Sequence, residues 1–131
     1  MWLKAILLFV YIGATSGCTT YKVAMQSLSG CANSEKQPES YIRAKRMEQG
    51  IYIEVLDFYN CAYSQNQPKF TVAGSLGTLS IKSGNSDNIA TACDCPQAYG
   101  FTIVGDTRVV ETVEYTVNGY KRSSVDVPAH E

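Results

Sequence analysis

The sequence predicts an all-β protein, a single antiparallel immunoglobulin-like β-sandwich of about seven strands, and three observations predict it. Apolar residues recur at every second position from Ile51 onward, and no long stretch has a helical period. Turn residues interrupt those runs at short intervals, at Ser64–Pro68, Gly74 and Gly77, Ser83–Asn88 and Gly105-Asp106. The pair Asn118-Gly119 then stands between two strand-like runs, where both turn positions of a two-residue hairpin need positive φ. A small closed barrel is the alternative arrangement.

The chain opens with an export layout. Lys4 precedes the apolar run Ala5–Ile12, and the small or hydroxylated residues Gly13–Gly17 lead to Cys18. The apolar run is about nine residues to Gly13, well short of the roughly 20 that cross a bilayer, so it predicts a cleaved signal and not a permanent span. A small residue before a cysteine resembles the lipobox of bacterial lipoproteins. The resemblance implies that residues 1–17 are removed and that Cys18 is acylated as the first mature residue. Thr15 stands where such signals usually carry Leu, and the other reading is ordinary signal-peptidase cleavage that leaves a soluble protein. Thr19 follows Cys18 in place of the Asp associated with inner-membrane retention, which implies the outer membrane.

What remains is one domain's worth of chain. Of the 131 residues, 114 follow residue 17, and they carry 10 basic against 12 acidic side chains. No basic stripe is visible, which argues against a nucleic-acid partner. Residues 18–40 are polar and turn-rich and predict a tether between the lipidated terminus and a sandwich over 41–131.

Along that domain, Tyr41–Gln49 fits either a short helix ended by Gly50 or an edge strand. Ile51, Ile53 and Val55 alternate inward, after which Leu56 and Phe58 take the other parity. That switch predicts a bulge over Val55–Asp57 or a strand buried on both faces. Phe70 with Val72, Leu79 with Ile81, and Tyr99 with Phe101 and Ile103 mark further strands, and Pro96 should end ladder bonding on its edge. The last hairpin places Val117 opposite Tyr120, Tyr115 opposite Arg122 and Val113 opposite Ser124, with Arg122 near Tyr115 at a partly solvated sheet edge.

Four cysteines follow Cys18: Cys31, Cys61, Cys93 and Cys95. An even set in an exported chain predicts two disulfides. Cys93 and Cys95 are two apart, and a bond between them in an extended strand is strained, so each should pair elsewhere, one with Cys61 and the other with Cys31. A metal site is disfavoured because the Cys-x-Cys spacing has no second pair and the single histidine, His130, is next to the end. No thioredoxin-like Cys-x-x-Cys is present.

The segment Cys93-Asp94-Cys95-Pro96, with Tyr99 and the apolar strand Phe101–Val104 after it and Cys61 closing an earlier strand, resembles small bacterial envelope lipoproteins with a β-sandwich domain. The resemblance supports the fold and implies no activity.

Catalytic patterns are lacking. Without a placed histidine there is no Ser-His-Asp set, Gly74-Ser75-Leu76-Gly77 has no lysine or helix for a phosphate loop, and Glu54, Asp57, Asp94, Asp106, Glu111 and Glu114 are scattered. The nine tyrosines suit strands first and a binding surface second. The expectation is therefore a non-enzymatic envelope protein without cofactor, held to the membrane through Cys18 and binding another envelope protein by loops or a sheet edge. An accessory role in a secretion or conjugation machine, or a soluble periplasmic inhibitor or enzyme, are the competing classes.

Overall fold

Strand β3, Gly50–Asn60, is the spine of the molecule. Ile51, Ile53, Val55, Asp57 and Tyr59 all point into the interior and are buried, and Tyr52, Glu54, Leu56 and Phe58 line the outer face. The parity never switches: β3 pairs in unbroken register with both neighbours, so the predicted bulge is absent. Leu56 and Phe58 are instead half-buried on the outer face, opposite Ala98 and Pro96. The expected parity break arose because an acidic residue, Asp57, occupies an inward position.

The computed structural model describes residues 20–30, 39–87 and 89–129. It contains β1 (Lys22–Ser29), β2 (Tyr41–Met47), β3, β4 (Ser64–Ala73), β5 (Leu76–Gly84), β6 (Asp94–Val104), β7 (Thr112–Val117) and β8 (Tyr120–Asp126). These eight strands, one more than expected, form two four-stranded sheets ordered β1-β6-β3-β2 and β4-β5-β7-β8. All pairs are antiparallel except β5 with β7. The sheets pack as a sandwich whose core joins Ile51, Ile53, Val55, Phe101 and Ile103 of the first to Phe70, Leu79, Ile81, Val113 and Tyr115 of the second.

Several local expectations change. Part of the expected tether is structural: Lys22–Ser29 pairs with β6 and sends Val23 and Met25 against the core. Tyr41–Met47 is the edge strand and not the helix, and Gly50 begins β3. A Cβ on Gly50 would lie 1.7 Å from the Ile103 carbonyl oxygen, so the strands approach there as only glycine allows. The expected turn at Ser64–Pro68 opens β4, with an extra residue between Asn66 and Lys69 and Gln67 at φ 53°. Pro96 lies inside β6, where it costs little because β1 pairs only as far as Ala98.

The last hairpin has the expected turn, with Asn118 at φ 53° and Gly119 at φ 85°, and Val117 pairs with Tyr120. Beyond that the predicted register is wrong. Tyr115 faces Ser123 and Val113 faces Val125, because Arg122 is an extra residue between Lys121 and Ser123. The unslipped register would turn Arg122, Ser124 and Asp126 inward and Val125 outward. One inserted residue, Arg122, turns Ser124 and Asp126 outward and returns Val125 and Val127 to the core.

Candidate functional site

The polar chemistry of the sandwich collects in one half of its interior and at the side where β2 lies beside β8. Alternation along β3 carries Asp57 inward, and the β8 bulge aims Arg122 at it. Nε and Nη2 of Arg122 donate to Oδ2 and Oδ1 of Asp57, each at 2.8 Å. Asp57 is 7% exposed, and the hydrogen bond with its carboxylate raises the pKa of Arg122, which holds the guanidinium charged. Next along the strand, the Tyr59 and Tyr115 hydroxyls meet at 2.5 Å between the two sheets. Desolvation raises the pKa of both phenols, which keeps them neutral at physiological pH. The Tyr99 hydroxyl donates to Gln65 Oε1 at 2.6 Å and lies against the Gln97 carboxamide oxygen as well.

These groups satisfy one another. Among the described residues no buried side-chain nitrogen or oxygen lacks a hydrogen-bond partner. Protonated phenols and an ion-paired carboxylate hold two sheets in register; they offer neither a base nor a nucleophile to a substrate. A shallow cavity of about 120 Å³ opens outside the pair, lined by Ser40, Tyr41, Ile42, Leu56, Asp57, Arg122 and Ser123. Further along β2 a groove of about 430 Å³ runs past Ala44–Glu48 and Pro128-Ala129.

Arg46 anchors that second region. Its guanidinium donates to three backbone carbonyls, of Thr107 at 3.0 Å, Val110 at 2.7 Å and Pro128 at 2.8 Å. One side chain of β2 thereby fastens both the 105–111 loop and the segment after β8, with no carboxylate involved. On the outer face of the same strand, Tyr41 donates to Glu54 at 2.7 Å, and the Arg43 guanidinium stacks 4.2 Å from the Tyr41 ring centroid. This is the cation–π contact that occurs here, in place of the predicted one between Arg122 and Tyr115.

The expected carboxylates do not converge. Glu54 faces solvent beside Tyr41, Glu114 pairs with Lys121 at 3.4 Å, and Asp106 pairs with Arg108, whose hydrogen bonds lower its pKa to about 2. Among the described residues no three potential metal ligands cluster. Gly74-Ser75 is the turn between β4 and β5. His130 lies outside the described residues.

The C-terminal end of β3, just past Tyr59, carries the staple. Cys61 and Cys93 form a disulfide with α-carbons 5.6 Å apart, closing a separation of 32 residues. Cys61 N–H also donates to the Cys93 carbonyl, and Asn60 grips Thr91 through both its backbone N–H and its C=O. Cys95 is disulfide-bonded as well, with Gln97 Nε2 3.3 Å from its sulfur. Cys18 and Cys31 lie outside the described residues, as does the whole expected signal segment.

Sequence reading missed the Asp57–Arg122 pair and the Arg46 anchor. The first left a trace, since an acid at an inward position of the strongest alternating run calls for a cationic partner. The second left none, because a guanidinium bound only to carbonyls has no sequence counterpart. No family model, curated protein or solved structure matches the chain.

Proposed function

We propose that the protein is a non-enzymatic binding module of the bacterial envelope, exported by its first 17 residues, anchored through acylated Cys18, and probing its surroundings with a disulfide-stapled sandwich. The observation that carries this reading is the Cys61–Cys93 disulfide in a small domain behind an export-like leader. Such bonds form and persist in oxidising compartments. The interior polar groups pair with one another, which favours a scaffold over a catalyst. An outer-membrane location follows from Thr19, and a Cys31–Cys95 bond is the second staple of the same proposal. The immunoglobulin-like assignment belongs here too: two-layer packing of short, largely antiparallel strands supports it, and the parallel β5–β7 pair departs from it.

The test is mass spectrometry of the mature protein together with fractionation. Acyl mass on Cys18, and release of the Cys18→Ala variant from membranes, are expected. A mature chain with an unmodified Cys18 overturns the anchor. Binding is tested separately by cross-linking in intact envelopes, where absence of any cross-linked protein overturns the module.

A further inference from the structure

A sandwich of two open sheets has four edges, here β1, β2, β4 and β8. Edges invite foreign strands, and proteins blunt them with bulges and prolines. Three of the four are blunted in this way. β1 carries an extra residue at Leu28, β4 carries one between Asn66 and Lys69 together with Pro68, and β8 carries Arg122. β2 is the exception: Tyr41–Met47 runs against Leu56–Gly50 without a register shift and without proline.

The pairing also says which groups β2 presents. Met47 and Gly50 close a two-residue turn and are therefore a hydrogen-bonded pair. Counting back in steps of two, Tyr41, Arg43 and Lys45 bond to β3, and Ile42, Ala44 and Arg46 turn their N–H and C=O groups to the open side. Both cavities border this line, the smaller at Tyr41-Ile42 and the larger at Ala44–Glu48. The strand carries Arg43, Lys45 and Arg46 and no acid; Arg43 and Lys45 are exposed, and Glu54 of β3, 3.8 Å from Arg43, offsets one of these charges and leaves the edge basic.

We infer that the β2 edge is a docking site for an extended, acidic segment of another protein, which adds to the first sheet as a fifth strand. This rests on the binding-module reading above and assigns its surface. The charge selects the occupant. A second β2 would set Arg43 and Lys45 against their own copies, whereas a strand with Asp or Glu at every second position meets them on the outer face and turns its other side chains into the cleft toward β8.

Panning random ten-residue displayed peptides on the oxidised protein tests this. Selected peptides should carry alternate acids and slow hydrogen exchange at Ile42, Ala44 and Arg46. Their affinity should fall at least tenfold in Ala44→Pro, which removes one outward N–H and no bond to β3, and in Lys45→Glu, which leaves the backbone untouched. Circular dichroism and the urea midpoint verify that both variants are folded. Peptides that protect a different edge, or that bind both variants unchanged, overturn the β2 assignment while leaving a binding module in place. Loss in Ala44→Pro alone overturns the acidic partner, and recovery of no peptide above background overturns the site. The cross-linking result judges the binding module independently.

Discussion

Asp57 and Arg122 join the two sheets through a bidentate ion pair, one from the centre of a buried strand and the other from a bulge in an edge strand. Its worth lies mainly in what its rupture would leave behind. Arg122→Ala strands a largely buried carboxylate and should cost about 1–3 kcal/mol, the lower part of the range because the arginine is half-exposed. Asp57→Ala combined with Arg122→Ala should cost less than the two single changes added together. Urea midpoints of the four proteins check the cycle, and strict additivity would show that the pair is not coupled.

The Tyr59–Tyr115 contact predicts an alkaline limit. Burial raises both phenol pKa values above the ordinary 10.0. The folded state therefore holds these protons more tightly than the unfolded one, so their stabilisation is complete below pH 10 and is lost as the pH climbs beyond it. Ultraviolet titration should show the Tyr59 and Tyr115 phenols ionising only as the near-ultraviolet dichroism collapses. Tyr115→Phe, which leaves Tyr59 without its partner, should cost about 1–2 kcal/mol at neutral pH.

Asn118 serves the hairpin twice. It takes positive φ in the turn, and its carboxamide accepts from Ser83 N–H and donates to Ser83 C=O, both at 2.9 Å, which extends the ladder past the end of β7. Asn118→Ala should destabilise by about 1–2 kcal/mol. Asn118→Gly should cost less, since it restores the backbone freedom but not the side-chain bonds. Equal thermal midpoints for the two variants would show that the carboxamide contributes nothing.

Gly50 predicts a sharper effect. No Cβ fits beside the Ile103 carbonyl, so Gly50→Ala must separate β3 from β6 at the start of the spine. A loss of about 2 kcal/mol or more is expected, measured by chemical denaturation.

Removing the staple by Cys61→Ser with Cys93→Ser should cost about 3–4 kcal/mol in the chain-entropy account of a loop of this length. The unreduced wild-type protein should yield a Cys61–Cys93 linked peptide after proteolysis, and free thiols at both positions would refute the bond.

Much of this architecture was legible in the residues. The period of two over Ile51–Val55 and over Tyr99–Ile103, the Asn118-Gly119 turn and the outward pairing of Cys93 and Cys95, one of them with Cys61, are local facts, or nearly so, while the choice of Cys93 for Cys61 came from the structure. They rest on side-chain alternation, on which residues tolerate positive φ and on the span of two adjacent cysteines. Tertiary structure decided the rest. Lys22–Ser29 is a strand because β6 has an edge to fill, and local polarity could not reveal that. Tyr41–Met47 is a strand because β3 is its neighbour. The register of β8 was settled by a competition in which burying Val125 and Val127 outweighed a regular ladder. The residue left without a ladder partner by that slip, Arg122, pairs with the one carboxylate that β3 carries inward. Alternation is written residue by residue, but register depends on which faces are finally buried, and only the assembled sheets determine that.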